Sequence, residues 1–336
     1  MLPASHGRTS FQLVLPLVTP RALSYTGQAC GPHPGLRPAS TMNLLSPVTP
    51  HIFIVEGEKK GRFPFSHSIL IRDQVTALID TGCGAERLRQ IKREYAPDLV
   101  INSHTHPDHS AGNWLFEGTP LLVPQEGFDT SGQITKLSHR LTEPGRLAAQ
   151  WTEYVRELMG FVGVLPTGAY ENGHCFSFGD VELKAIYTPG HSIDHYCFFE
   201  PKDRILFSFD IDLDPFGPWY GTRESEITAF EESIRRVRSL LPRILVSSHL
   251  GIVSEGIDER LEAYLGVIFQ REERILDFLS QQRTVKEIVE QALIYGGFPY
   301  APELLRYWEG QMVLKHLQRL IQRGLVRQRD GAYTRT

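Results

Sequence analysis

The segment His104-Thr105-His106-Pro107-Asp108-His109 concentrates three imidazoles and a carboxylate within six residues, directly after the apolar strand-like run of DLVINSH. Four adjacent metal-capable groups at the end of a buried strand are hard to explain by packing. Neutral imidazole and carboxylate suit zinc, iron or manganese, and Pro107 keeps the turn from continuing as helix. A single HxHxDH also arises in polar loops, so further ligands are required. They recur where strands end: His191 in YTPGHSIDH, Asp210 in ILFSFDID and His249 in ILVSSHLG. The chain therefore needs a fold that delivers several strand ends to one edge of its sheets.

The rest of the pattern supplies such strands. HIFIVEG, SHSILIRD, VTALIDTG and DLVINSH are short apolar runs closed by turn residues, and AERLRQIKREY puts Leu88, Ile91 and Tyr95 on one helical face. A second series follows in TPLLVP, VELKAIYTPG, HYCFFEP, RILFSFD and PRILVSSHLG, which together indicate two sheets with outer helices. Between them, residues 125–172 form a long insertion whose segment EPGRLAAQWTEYVRELMGFVG reads as helix. Such an insertion is either a lid or partner surface beside a site, or a helix pair that only packs. Residues 257–280 place Ile257, Leu261, Tyr264, Leu265, Ile268, Ile275 and Leu279 at helical spacing, an amphipathic connector. Beyond it, TVKEIVEQAL, ELLRYWEG and GQMVLKHLQRLIQRG read as three helices, and LVRQRDGAYTR as a hairpin turning at Asp330-Gly331. The expectation is a winged-helix-like module.

Composition narrows the context. The formal charge of -4 gives no overall attraction to nucleic acid or anionic membrane, so such a partner would have to use a local patch. Cys30, Cys83, Cys175 and Cys197 form no CxxC pair, which argues against a disulfide framework or a thiolate zinc site and suits a reducing, cytoplasmic setting. Phe11 to Val18 is interrupted by Pro16 and is far shorter than the roughly 20 residues that span a bilayer. Residues 1–55 hold no Asp or Glu while Arg8, Arg21 and Arg37 appear among Ser, Pro and Gly. Residues 1–41 are expected to be a disordered extension ahead of a start at Met42, with an organellar transit peptide as the alternative.

HTHPDH, then TPGH, then Asp after one strand and His after another, with Asp80 in LIDTG ahead of them, resemble the successive motifs of the metallo-β-lactamase superfamily. The resemblance covers roughly residues 45 to 255. It implies an α+β fold, a four-layer αββα sandwich over residues 42–256, ahead of the connector helix and winged-helix-like module read from residues 257–336. It further implies that His104, His106 and His191 hold one divalent ion and Asp108, His109 and His249 the other, with Asp210 bridging. Zinc is the first expectation, with iron or manganese as alternatives. Asp80 and His195 are expected behind the ligands, orienting them. Phe209 stands where the family usually has Gly, which could narrow the site. His51, His67, His139, His174 and His316 lack metal-like spacing and read as surface or core residues; Cys83 reads as a small turn or core residue.

The implied chemistry is hydrolysis by hydroxide held between two ions, with Asp108 and Asp210 helping to orient it. A small-molecule ester, thioester or lactone is the first substrate class. The C-terminal module resembles that of β-lactamase-like endoribonucleases and of hydrolases near glyoxalase II. Its Arg306, Lys315, Arg319, Arg323, Arg327, Arg329 and Arg335, against Glu309 and Asp330, suggest RNA as an alternative partner, unless the module serves as a rim or homodimer contact. A mononuclear-iron persulfide dioxygenase is the third reading. Phe216, Trp219 and Tyr220, after the bridging Asp, are candidates to line a substrate pocket. No membrane partner is expected.

Overall fold

The computed structural model describes residues 44–336, so the expectations for residues 1–41, including the start at Met42, lie outside the described residues. Seven strands form the first sheet in chain order: β1 (Leu45–Pro47), β2 (Ile52–Val55), β3 (Ser68–Arg72), β4 (Thr76–Ile79), β5 (Leu99–Ile101), β6 (Leu121–Pro124) and β7 (Gly168–Tyr170). The second sheet has the order β13-β12-β11-β10-β9-β8, from β8 (Cys175–Ser177), β9 (Glu182–Tyr187), β10 (Tyr196–Glu200), β11 (Ile205–Phe209), β12 (Ile244–Ser247) and β13 (Gly251–Val253). Strands β4 to β7 run parallel, as does the β11–β12 pair.

Period-two alternation sorts the side chains into layers. In β3, Ile69 and Ile71 face a core shared with Phe198, Phe207 and Val246 of the other sheet, whereas Leu70 faces outward to pack with Leu88 and Ile91 of helix α1 (Ala85–Tyr95). In β11, Phe207 points inward and Leu206 outward, toward Phe230 and Ile234 of α5 (Ile227–Ser239) and Leu261 of α6 (Ile257–Phe278). Helices thus cover both outer faces, and the four layers are α, β, β, α.

Of the remaining helices, α2 (Pro107–Ser110) is a single turn begun by Pro107, and α3 (Ile134–Leu141) and α4 (Arg146–Met159) lie within the 125–172 insertion. That insertion is not wholly helical, because it ends in β7, which completes the first sheet against β6. Leu137, Trp151 and Val155 of α3 and α4 share an apolar cluster with Leu304, Leu305 and Trp308 of α8 (Pro302–Gln322).

The expected three helices of the C-terminal unit are two: α7 (Val285–Glu290), closed by a Thr284/Glu287 capping box, and the continuous α8. ELLRYWEG and GQMVLKHLQRLIQRG join through Gly310. A glycine inside a helix costs about 1 kcal/mol, and the buried Trp308, Met312 and Val313 on either side offset it. The hairpin of β15 (Val326–Arg329) and β16 (Ala332–Arg335) turns at Asp330-Gly331, both left-handed, and β14 (Arg283–Thr284) adds a third strand. No described helix is long and apolar enough to cross a membrane.

Candidate metal centre

Every one of the seven predicted ligands follows a strand of the two central sheets. His104 and His106 come just after β5, Asp108 and His109 lie in the α2 turn, and His191, Asp210 and His249 follow β9, β11 and β12. The strands end on one edge of the sandwich, where two groups form: His104, His106, His191 and Asp210; and Asp108, His109, Asp210 and His249. Within each group the candidate ligand atoms lie within 4.8 Å of one another.

Asp210 is common to both groups. Its Oδ2 lies 3.0 Å from His191 Nε2 and 3.8 Å from His104 Nε2, while its Oδ1 lies 2.9 Å from His109 Nε2 and 3.6 Å from His249 Nε2. Asp108 Oδ2 stands 3.8 and 3.7 Å from the same two His109 and His249 nitrogens.

What aims the rings is a set of contacts on their far nitrogens. His109 Nδ1 meets Asp80 Oδ2 at 2.8 Å, His191 Nδ1 donates to the Trp219 carbonyl at 3.0 Å, and His249 Nδ1 to the Gly61 carbonyl at 2.7 Å. His104 Nδ1 is 3.1 Å from Ser103 Oγ. In these four rings Nε2 is left for the centre. His106 presents Nδ1 instead, 2.8 Å from His191 Nε2.

Asp80 sits behind this layer, accepting the Ser103 amide and hydroxyl at 2.7 Å each. His195 does not join either group: its Nε2 accepts the Asp210 amide at 3.2 Å and its Nδ1 donates to the Thr188 carbonyl at 3.0 Å. Two glycines permit the close packing. A Cβ on Gly82 would fall 1.6 Å from the Asp108 carbonyl oxygen, and one on Gly190, at φ 127°, 2.2 Å from the Phe230 amide nitrogen.

Comparison with known proteins bears on the fold that carries this arrangement. Residues 61–123 match the family model described as the metallo-beta-lactamase superfamily. The chain is similar to the lactamase-like protein nscB of Trichophyton equinum (32% identity, 59% of this chain and 49% of that one). It is also similar to the atrochrysone carboxyl ACP thioesterase of Aspergillus fumigatus (30%, 64% and 59%) and to the human acyl-coenzyme A thioesterase MBLAC2 (29%, 41% and 54%). It therefore spans about half the length of these curated relatives. A metallo-beta-lactamase family protein from Thermus thermophilus shares the fold at TM-score 0.68 and 20% identity, covering 86% of this chain and all of that one.

Residues 61–123 thus match the metallo-β-lactamase superfamily, and the described residues share the fold of one of its solved members.

The donor set of this chain fits divalent ions on its own chemistry. His104 Nε2, His109 Nε2 and Asp210 Oδ1 are buried without a hydrogen-bond partner; the last two approach to 2.9 Å but are misaligned for one. Leaving such atoms unsatisfied costs about 1–3 kcal/mol each, which cations at the centre would relieve. Burial drives His104 and His106 well below the usual imidazole range and so keeps them neutral, the form that ligates. Burial also opposes charge on His249, but Asp210, Asp108 and Asp212 outweigh it and push its pKa up to about 9. The carboxylates thus demand positive charge, as protons or as metal ions.

One element of the site was not read from the sequence. Arg140, on α3 of the insertion, donates to both carboxylate oxygens of Asp194 at 3.2 Å and to Thr105 Oγ1 at 2.9 Å. The Thr105 amide in turn donates to Asp194 at 3.1 Å. Thr105 lies between His104 and His106, and Asp194 three residues past His191, so the insertion grips both ligand segments. Asp194 was visible within HSIDH; that Arg140 would be its partner was not.

Three sequence expectations need correction. Tyr220 is fully buried, its hydroxyl 2.7 Å from His316 Nε2, and offers no surface to a substrate. Phe216 packs under the Arg271 guanidinium, 4.7 Å away, and against Tyr295, as a loop anchor. Only Trp219 of the three reaches the centre, its ring 5.6 Å from that of His191 and 6.3 Å from His106. Third, the basic C-terminal face is largely neutralised by carboxylates, most of which the local sequence did not reveal. Arg306 pairs with Glu290, Arg319 with Glu231 and Glu272, Arg323 with Glu272, Arg329 with Asp330 and Arg335 with Asp277. Lys315 is turned inward onto the Thr222 carbonyl.

Phe209 holds φ 47°, the left-handed region that a glycine would occupy without cost. Its ring does not narrow the centre. It is buried between the sheets, 5.4 Å from that of Phe198. Cys83 is a core residue whose thiol burial pushes up to about 12, and His67 is buried with its Nδ1 accepting the Gly57 amide.

Proposed function

We propose that the protein is a dinuclear metal-dependent hydrolase of acyl thioesters. The carrying observation is the pair of complete four-residue groups that share Asp210. His104, His106 and His191 would hold one ion and Asp108, His109 and His249 the other, with Asp210 between them. When bound, such ions acidify a water molecule and polarise the carbonyl under attack.

The chain's own residues set the geometry. Asp80 and the Trp219 and Gly61 carbonyls keep His109, His191 and His249 aimed at the centre, so little reorganisation is needed as charge develops. Asp108 and Asp210 present carboxylate oxygens that can orient the attacking water by accepting hydrogen bonds from it. Trp219 supplies an apolar wall beside His106 and His191 on which an acyl group can rest.

A thioester suits this set. A thiolate, whose conjugate acid in free cysteine titrates near about 8.5, departs without a dedicated proton donor. Two of the relatives named above carry thioesterase names, which supports the same class. The endoribonuclease reading would rely on a basic face whose arginines are mostly paired, and a one-iron oxidoreductase would need only one of the two groups.

The test is thiol release from a medium-chain acyl-CoA by the zinc-loaded protein, run beside single-stranded RNA and an ester, with metal counted per chain. Two metals and thiol release are expected. One iron per chain with oxygen consumption, or RNA cleavage without thiol release, would overturn the reading.

A further inference from the structure

The loop joining β2 to β3 carries Lys59, Lys60 and Arg62, three cations within four residues of a chain whose formal charge is -4. All three are exposed, and among the described residues none is held in an ion pair; Lys59 lies 5.6 Å over the Phe65 ring. The contrast with the paired arginines of the C-terminal unit is direct.

This loop is fastened to the candidate centre from both sides. Gly61 accepts His249 Nδ1 at 2.7 Å, and Ser66 Oγ donates to the Asp108 carbonyl at 2.8 Å. The Glu58 and Ser66 amides bond the carbonyls of Cys83 and Gly82 at 3.0 and 3.1 Å. Lys59, Lys60 and Gly61 have φ of 50°, 60° and 70°, three left-handed residues in succession. That region is unfavourable for a residue bearing a Cβ, a strain that the surrounding bonds sustain and that sets the course of the backbone carrying the cations.

We propose that Lys59, Lys60 and Arg62 form the anion site for the phosphate of a phosphopantetheine arm, the thiol carrier common to coenzyme A and acyl carrier proteins. This deepens the thioesterase reading and rests on it. The arm separates its phosphate from the thioester sulfur by a length comparable to about five residues of extended chain. Lys60 and Arg62 flank Gly61, whose carbonyl bonds His249 of the candidate centre itself. The acyl carbon would then lie at the ions while the phosphate meets the loop.

The test compares acyl-CoA, acyl-carrier protein and the phosphate-free acyl-pantetheine as substrates of the metal-loaded full chain and of its Lys59→Gln/Lys60→Gln/Arg62→Gln variant. Binding of desulfo-coenzyme A is measured by calorimetry as a readout independent of turnover. Gln tolerates the exposed positions, and a thermal melt checks that the variant folds. The expected result is a fall of about tenfold or more in the ratio of kcat/KM for phosphorylated over unphosphorylated carriers, carried in KM and flattened by salt, with a matching loss of desulfo-coenzyme A affinity. A loss with acyl-CoA alone would assign the site to the free cofactor, and one with the carrier protein alone to the protein-bound arm. An unchanged ratio, or an equal loss with acyl-pantetheine, overturns this inference and leaves the thioesterase reading standing. If the unmodified protein releases no thiol from any of the three, it is the thioesterase reading that fails, and the inference falls with it.

Discussion

Arg140 and Asp194 form a buried, two-point ion pair across 54 residues of sequence, and it ties the helical insertion to the segments that carry His104, His106 and His191. Arg140 also meets Glu224 at 2.8 Å, so the guanidinium closes a network rather than a single bridge.

Removing one partner of a buried pair leaves the other charge uncompensated, at about 3–5 kcal/mol. Arg140→Leu is therefore expected to lower the melting temperature markedly and to weaken metal retention, as measured by calorimetry and by metal content after dialysis. The effect should depend on pH. Burial would raise the Asp194 pKa, but Arg140 and Thr105 outweigh it and hold it at about 2. With the folded value below the unfolded one of 3.8, this stabilisation, about 2 kcal/mol, is complete above pH 4 and is lost as pH falls toward 2. The gap between the unmodified protein and the variant should narrow over that interval; a gap constant from pH 5 to pH 2 would contradict the pairing.

Metal loading should release protons. With its pKa near 9, His249 is protonated at neutral pH when no ion is present, and His109 and His191 are also raised, Asp210 overcoming their burial. Ligation needs these rings neutral, so zinc affinity is expected to weaken by about tenfold or more between pH 8 and pH 6. Chelator competition at the two pH values measures this, and equal affinities would rule out ligation by these imidazoles.

Asp80→Asn keeps the shape of the side chain but removes the charge facing His109 Nδ1. The expected loss is about 10- to 100-fold in metal affinity or in hydrolysis, with the fold intact by circular dichroism. A variant that binds and turns over normally would leave Asp80 a role only in holding Ser103.

At Phe209 two effects compete. Phe209→Ala deletes the ring packed on Phe198, at about 3–5 kcal/mol, and keeps a side chain in the left-handed region. Phe209→Gly deletes the same ring but relieves about 1 kcal/mol of backbone strain. The glycine variant, though smaller, is expected to be the more stable of the two by denaturant unfolding; the reverse order would mean that the strain is negligible.

The seven predicted ligands could be read in advance because each stands at the end of an apolar run, and strands of one sandwich end on shared edges. The layer order was legible for a similar reason, since alternation in SILIR and ILFSF assigns each side chain to the inner or outer face. Period and position along one strand are local properties, written in a few neighbouring residues. Folding alone selected the partners that lie far apart in the chain: Arg140 with Asp194, Arg319 with Glu231, Tyr220 with His316. A basic stretch reads as a charged face until the carboxylates brought beside it by folding are known, and an aromatic after a ligand reads as pocket lining until the core claims it. Such pairings depend on how whole elements dock, which is settled by packing summed over the molecule and leaves no periodic trace near either residue.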